Sequence, residues 1–338
     1  MTQLCSVCPR GCGVDRAGGQ LGFCAVPDAP MVARAAPHFG EEPCISGTRG
    51  SGAVFFSGCC LRCVFCQNRD ISRGEHGKEI TVAQLRAIFL RLRDEGVHNI
   101  NLVTPSHYTP QIAEALTGLS LGIPVVWNSS GYECVETLHM LDGLVQVYLP
   151  DLKYALPGPA KRYSGAEDYF QWASAAILEM FRQRGPARLE EGLLKSGVVI
   201  RHLILPGQVR EAKLVMDWVA ETFRPGEVLF SLMSQYTPWG DLSRCPELNR
   251  RLFRTIPFRK LLLQARAFAG CELYEDERIA ISALTRQDLA ACGAVPDDAE
   301  GLIDSLRDIE TVEIAAVLRG QLDGRIHVSL RGKRVTDV

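Results

Sequence analysis

The chemistry in this chain is concentrated in the run Gly58-Cys59-Cys60-Leu61-Arg62-Cys63-Val64-Phe65-Cys66, which spaces three cysteines as C-x3-C-x2-C. An apolar stretch precedes it directly, so the thiols stand on a loop at the end of a strand. Three thiolates can hold three irons of a [4Fe–4S] cube and leave the fourth iron without a protein ligand. The amino and carboxylate groups of S-adenosylmethionine can chelate such an iron, which sets the sulfonium beside the cube for one-electron reduction. A cofactor of this kind carries the difficult step, while the protein orients it and excludes water. A zinc knuckle would need a fourth ligand. Cys60 could supply one by count, but adjacent cysteines rarely aim at one metal, so it reads as a packing residue.

A second set of thiols, Cys5-x2-Cys8-x3-Cys12 followed by Cys24, is interspersed with Gly11, Gly13, Gly18, Gly19 and Gly22. Four thiolates can close a structural zinc tetrahedron or bind a complete auxiliary cluster, and the spacing leaves both open. So short a segment cannot build a core, which leaves metal to organise it. Nine of the thirteen cysteines fall in the first 66 residues, and Met1-Thr2-Gln3-Leu4-Cys5 has no signal-peptide character. Metal binding in a reducing cytoplasm is therefore expected in place of disulfides. Cys44, Cys134, Cys245, Cys271 and Cys292 read as packing residues.

The elements that must position these thiols are legible from about residue 52 onward. Apolar runs at Ala53–Ser57, Ile100–Val103, Pro124–Trp127, Val145–Leu149, Val198–Leu205 and Val228–Leu232 have the Val/Ile/Leu content of buried parallel strands. Helix candidates lie between them: one opened by a Thr81/Gln84 capping box and closed by Gly96, others at about 110–118, 134–141, 167–184 and 209–222. Six strand-then-helix units give an α/β fold, a partial (β/α)6 TIM-like barrel, with its chemistry at the carboxyl ends of the strands. Thr104, Asn128, Ser130, Asp151, Lys153 and Gln235 fall at or near those ends. His202 is the exception, inside its apolar run. The stretch Pro186–Lys195 reads as a surface loop.

Basic and acidic residues number 37 and 39, for a net charge of −2, which gives no reason to expect nucleic acid or an anionic membrane as partner. No apolar run is long enough to span a bilayer.

The run Phe55–Asn68 resembles the radical SAM superfamily, specifically the relatives of pyruvate formate-lyase activating enzymes with an N-terminal Cys motif. Cys8–Val14, His38–Pro43, Asn99–Pro105, Tyr148–Tyr154, Ile200–Leu203 and Met233–Tyr236 extend the likeness over about residues 4–252. Thr104-Pro105-Ser106-His107 stands where that family has Gly-Gly-Glu. The resemblance implies a [4Fe–4S] cluster on Cys59, Cys63 and Cys66, with S-adenosylmethionine against it. Phe65 and Asn68 would lie near the adenine and the cluster, and Thr104, Asn128 and Ser130 would face the methionyl or ribose portion. Asp151, Lys153 and His202 would line the cofactor and substrate side. An electron donor such as flavodoxin or ferredoxin and a protein substrate carrying a glycyl radical follow from the same likeness. The alternative is an iron–sulfur or zinc binding module without radical chemistry.

Three regions are thus expected: a Cys-rich extension at 1–48, the barrel at 49–252, and a small α+β tail at 257–338. In the tail, Leu273–Ala280, Gly293–Leu302, Val312–Arg319 and Val328–Arg331 resemble the C-terminal part of DHH-family phosphoesterases. That likeness stops at Val338, before the Gly-rich His segment, and the Asp-His-His metal half has no counterpart, so no phosphoesterase activity is expected. Arg331 and Lys333 read as a solvated basic end.

Overall fold

The computed structural model describes residues 4–240, 242–249, 257–320 and 325–333. The chain divides into two compact units, residues 1–252 and 253–338. The boundary expected between 252 and 257 falls at residues 250–256 and, like Val338, lies outside the described residues.

The strands of the first unit are β1 (Met31–His38), β2 (Ser51–Phe56), β3 (Lys78–Glu79), β4 (Ile100–Val103), β5 (Val125–Ser129), β6 (Val147–Pro150), β7 (Arg188–Glu190), β8 (Leu193–Leu203) and β9 (Leu229–Met233). They pair in the order β3-β1-β2-β4-β5-β6-β8-β7, with β9 on β8. Along this sheet β2, β4, β5, β6, β8 and β9 run parallel, and they are the six apolar runs of the sequence. Helices α1 (Pro43–Ser46), α2 (Arg69–Ser72), α3 (Val82–Asp94), α4 (Thr109–Leu116), α5 (Val135–Leu138), α6 (Pro157–Ser164), α7 (Tyr169–Arg184) and α8 (Val209–Thr222) connect them.

Helix α3 shows why the local reading succeeds. The Thr81 hydroxyl accepts the Gln84 N–H at 3.2 Å, and Gln84 Oε1 accepts the Thr81 N–H at 2.9 Å. Leu85, Phe89 and Leu92 are buried on one face, at helical spacing. Two elements depart from expectation. β1 lies in the Cys- and Gly-rich extension and pairs antiparallel to β2. The stretch read as a loop at 186–195 carries β7 and the start of β8, joined through Glu191 and Gly192 at φ 51° and 78°. All three residues of β7 are exposed, so no apolar alternation announces it.

The second unit has strands β10 (Cys271–Tyr274), β11 (Ile279–Leu284), β12 (Ile314–Gly320) and β13 (Ile326–Gly332) in sequential order, with β11 and β12 parallel. Helices α9 (Phe258–Ala269), α10 (Arg286–Ala291) and α11 (Leu302–Arg307) accompany them. Leu263, Leu284, Leu302 and Leu306 form its own core. Lys333 is exposed, and its Nζ donates to the Glu310 carbonyl at 3.0 Å. Among the described residues no helix is long and apolar enough to cross a membrane.

Candidate functional site

A cavity of about 560 Å³ lies at the carboxyl ends of the parallel strands, within the range of small-molecule sites. Each of those strands sends residues to its wall. Cys59 follows β2, Thr104 follows β4, Asn128 to Ser130 end β5, Asp151 and Lys153 follow β6, and Gln235 follows β9. Phe65, Asn68, Cys63 and Cys66 complete one side. All of the residues proposed from sequence between Cys59 and Lys153 therefore share one void.

All thirteen cysteines are free thiols. Among the described residues, no three His, Cys, Asp or Glu side chains converge closely enough to hold a single ion. A cube takes each thiolate on a different iron, so it needs donors spread around a void, not a shared point. Cys59, Cys63 and Cys66 wall the cavity in that manner, and their soft sulfur chemistry fits an iron–sulfur cluster. Gly58 makes the loop possible. Its φ is 82°, and a Cβ there would meet the Cys24 carbonyl oxygen at 2.7 Å. Burial pushes the Cys63 thiol up to about 12 and raises Cys66 as well. A hydrogen bond from Cys60 holds Cys59 down to about 6. Loading a metal must then displace protons from Cys63 and Cys66, which makes uptake pH-dependent.

The polar wall opposite is an ion network. Arg201 donates through Nε to Asp151 at 3.0 Å, through Nη1 to Glu41 at 3.2 Å and through Nη2 to Asn128 at 2.6 Å. Glu42 lies 3.8 Å from the same guanidinium. The Lys153 ammonium pairs with Asp151. Burial alone would raise the Asp151 carboxyl, but Arg201 and Lys153 outweigh it and hold it below its ordinary value. Glu41 goes the other way, because burial outweighs Arg201. Asp151 thus stabilises the fold above the ordinary carboxylate range, and that contribution is lost as pH falls through its depressed value.

His202 is a correction. Arg201, Leu203 and Leu205 face the cavity and His202 is absent from its wall, because successive side chains on a strand alternate faces. His202 is buried, and its Nδ1 donates to the Leu152 carbonyl at 2.7 Å. Leu152 likewise lies between the cavity-facing Asp151 and Lys153. Sequence reading missed Arg201 and Glu41, although the same alternation names Arg201 once Leu203 is set facing inward.

Two backbone positions fix this wall. Thr104 sits at φ 58°, an unusual conformation for a β-branched residue, and its N–H donates to the Asn128 carbonyl at 2.9 Å. Gly131 has φ 75°, and a Cβ there would meet the Asp151 carbonyl oxygen at 2.4 Å. Gly131→Ala is expected to cost more than about 1 kcal/mol in chemical denaturation, because either the turn or Asp151 must move. The loop that replaces Gly-Gly-Glu is also packed: His107 Nε2 donates to the Ser57 carbonyl at 2.7 Å. Burial pushes His107 down to about 3, so it stays neutral.

Among the N-terminal thiols, Cys24 lies within electrostatic range of Cys5 and Cys8. The Cys8 pKa is lowered by its proximity to Cys60, Cys12 Sγ accepts the Phe23 N–H at 3.3 Å, and Cys24 is buried. Hydrogen bonds and packing hold the extension in its place. Arg16 donates to the His107 carbonyl at 2.7 Å, Thr137 donates to the Val7 carbonyl at 2.9 Å, and the Arg10 guanidinium lies 3.9 Å over Phe23.

Fold and site together define an α/β scaffold with a thiol-walled cavity at the ends of parallel strands. The family described as the Radical SAM superfamily matches residues 53–219. An uncharacterized protein of Methanocaldococcus jannaschii is 31% identical over 258 residues, covering 73% of this chain and 70% of that protein. The chain belongs to the radical SAM superfamily. Among solved structures, an exopolyphosphatase-related protein from Bacteroides fragilis aligns at 11% identity with a TM-score of 0.28. That alignment covers 75% of this chain and 62% of the other, so this chain spans less than two thirds of that protein's length. The score is too low to carry an argument.

Proposed function

We propose that this chain is a radical SAM enzyme holding a [4Fe–4S] cluster on Cys59, Cys63 and Cys66, with S-adenosylmethionine at the iron they leave uncovered. The observation that carries the reading is the sharing of one cavity by these thiols, Phe65, Asn68, Thr104, Asn128, Ser130, Asp151 and Lys153. With one electron from a flavodoxin- or ferredoxin-type donor, the bound pair supplies sulfonium cleavage to methionine and a 5′-deoxyadenosyl radical, which takes a hydrogen atom from substrate. In this reading the six parallel strands curve as a partial barrel about the cavity. Asp151, Lys153 and Arg201 hold charged groups of the methionyl portion or the substrate, and Phe65 supplies an apolar wall.

The finer reading is an activating enzyme that generates a glycyl radical on a partner protein. Its support is the likeness of Tyr148–Tyr154 and Ile200–Leu203 to that branch. The N-terminal extension packs against the cluster loop, and its thiols Cys5, Cys8, Cys12 and Cys24 form a second site for zinc or a cluster, which metal analysis of the purified chain tests. The second unit is assigned no phosphoesterase chemistry.

Anaerobic reconstitution with iron and sulfide, followed by dithionite and S-adenosylmethionine, tests the reading. Release of 5′-deoxyadenosine supports it. Iron uptake without any cleavage would leave a binding module in its place.

A further inference from the structure

We propose that a buried hydroxyl chain, Tyr154 to Ser164 to Cys63, donates a hydrogen bond to one cluster thiolate and raises the reduction potential of the cluster. The inference rests on the reading above and concerns Tyr154 and Ser164, to which that reading gives no role. Ser164 is the last residue of α6, and its hydroxyl donates to Cys63 Sγ at 2.9 Å. Tyr154 Oη lies 2.7 Å from the same hydroxyl. Ser164, with its proton committed to sulfur, accepts the phenolic proton of Tyr154. Tyr154 and Ser164 are 1% and 4% exposed, so water cannot substitute for either.

The geometry is held from two sides. Gly165 closes α6 in the left-handed conformation at φ 57°, and the Tyr163 carbonyl at the end of that helix accepts the Val64 N–H of the cluster loop at 2.9 Å. Arg10 spans the same junction. Its Nε donates to the Cys60 carbonyl at 2.7 Å, Nη1 to Gly165 at 2.6 Å and Nη2 to Ser164 at 2.8 Å. The N-terminal extension thereby pins the cluster loop and the end of α6 to one another. This gives the extension a role that does not depend on metal.

The physical argument is charge. Reducing a cluster adds an electron, and a donor aimed at a ligand sulfur stabilises the more negative state, so the potential rises. Burial strengthens the bond, and the second hydroxyl polarises the first. Tyr154 stays protonated, since burial raises its phenol well above the ordinary value.

The test is a redox titration of the reconstituted full chain, followed by cluster absorbance and EPR. Ser164→Ala is expected to lower the reduced-to-oxidised ratio at fixed poise about tenfold, ~59 mV for a one-electron couple. Ser164→Thr, which keeps the hydroxyl, is expected to stay near the parent value. Tyr154→Phe is expected to shift in the same direction by less. A Ser164→Ala protein with full cluster content and an unmoved potential overturns the proposal. If Ser164→Ala takes up no cluster, Tyr154→Phe decides, and an unmoved potential there overturns it. A parent chain that binds no [4Fe–4S] cluster refutes the preceding reading instead, and this one with it.

Discussion

Replacing Cys59, Cys63 or Cys66 singly with alanine is expected to remove the visible iron–sulfur absorbance and all measurable 5′-deoxyadenosine formation. Loss of a group that merely supports a metal ligand costs roughly 10–100-fold in affinity or activity, so loss of a ligand itself should exceed that. The prediction is sharpened by Cys60, which lies within the same loop. Its sulfur sits 3.8 Å from the Tyr132 carbonyl and 3.9 Å from the Ser130 hydroxyl, and it is absent from the cavity wall. Cys60→Ser is therefore expected to keep the cluster. Iron and sulfide content measured beside the cleavage assay checks both halves. A Cys60→Ser protein that loses its cluster while one of the other three keeps it would reassign the ligands.

Arg201→Met is expected to be the most damaging substitution outside the cluster loop. The guanidinium is the shared partner of Asp151, Glu41 and Glu42, whose side chains are 18%, 11% and 14% exposed. Removing it leaves three carboxylates with only the Lys153 ammonium against Asp151. Taking one partner from a buried ion pair costs about 3–5 kcal/mol. These side chains are partly exposed, so the lower end, about 3 kcal/mol, is the expectation here. For a unit of this size that corresponds to a fall in Tm of roughly 6–12 °C. The pH dependence has a defined sign. Without Arg201 the folded-state pKa values of these carboxyls rise, so the penalty is full above the raised values, shrinks as pH falls through them, and is gone only below the parent's folded values, of which that of Asp151 lies under the ordinary one. Thermal melts of parent and variant should therefore draw together as pH falls through the acid range. A pH-independent difference would mean that the loss is one of packing, not charge.

Much of the candidate site was legible because its residues carry local signals. The C-x3-C-x2-C loop, the six apolar runs and the Thr81 capping box depend on neighbours within a few residues, and the structure keeps each of them. Asp151 and Lys153 were legible for the same reason: two residues apart at a strand end, they share a face. His202 entered through the likeness to activating enzymes, whereas strand parity puts Arg201 on the cavity face. Glu41 could not be found locally. It reaches the cavity from the segment between β1 and β2, and its partner Arg201 is 160 residues away. In the extension, the contacts from Arg10, Arg16 and Thr137 were not legible, because those three residues carry no distinguishing pattern. Strand β7 has three exposed residues and therefore no hydrophobic period to read.

The central claim is that one iron is left without a protein ligand and is taken by S-adenosylmethionine. EPR of the dithionite-reduced, reconstituted chain, recorded with and without S-adenosylmethionine, addresses it directly. The account predicts a single [4Fe–4S] signal per intact three-cysteine site whose g values change when S-adenosylmethionine is added. A spectrum that S-adenosylmethionine leaves unaltered, in a protein with full cluster content, would contradict it.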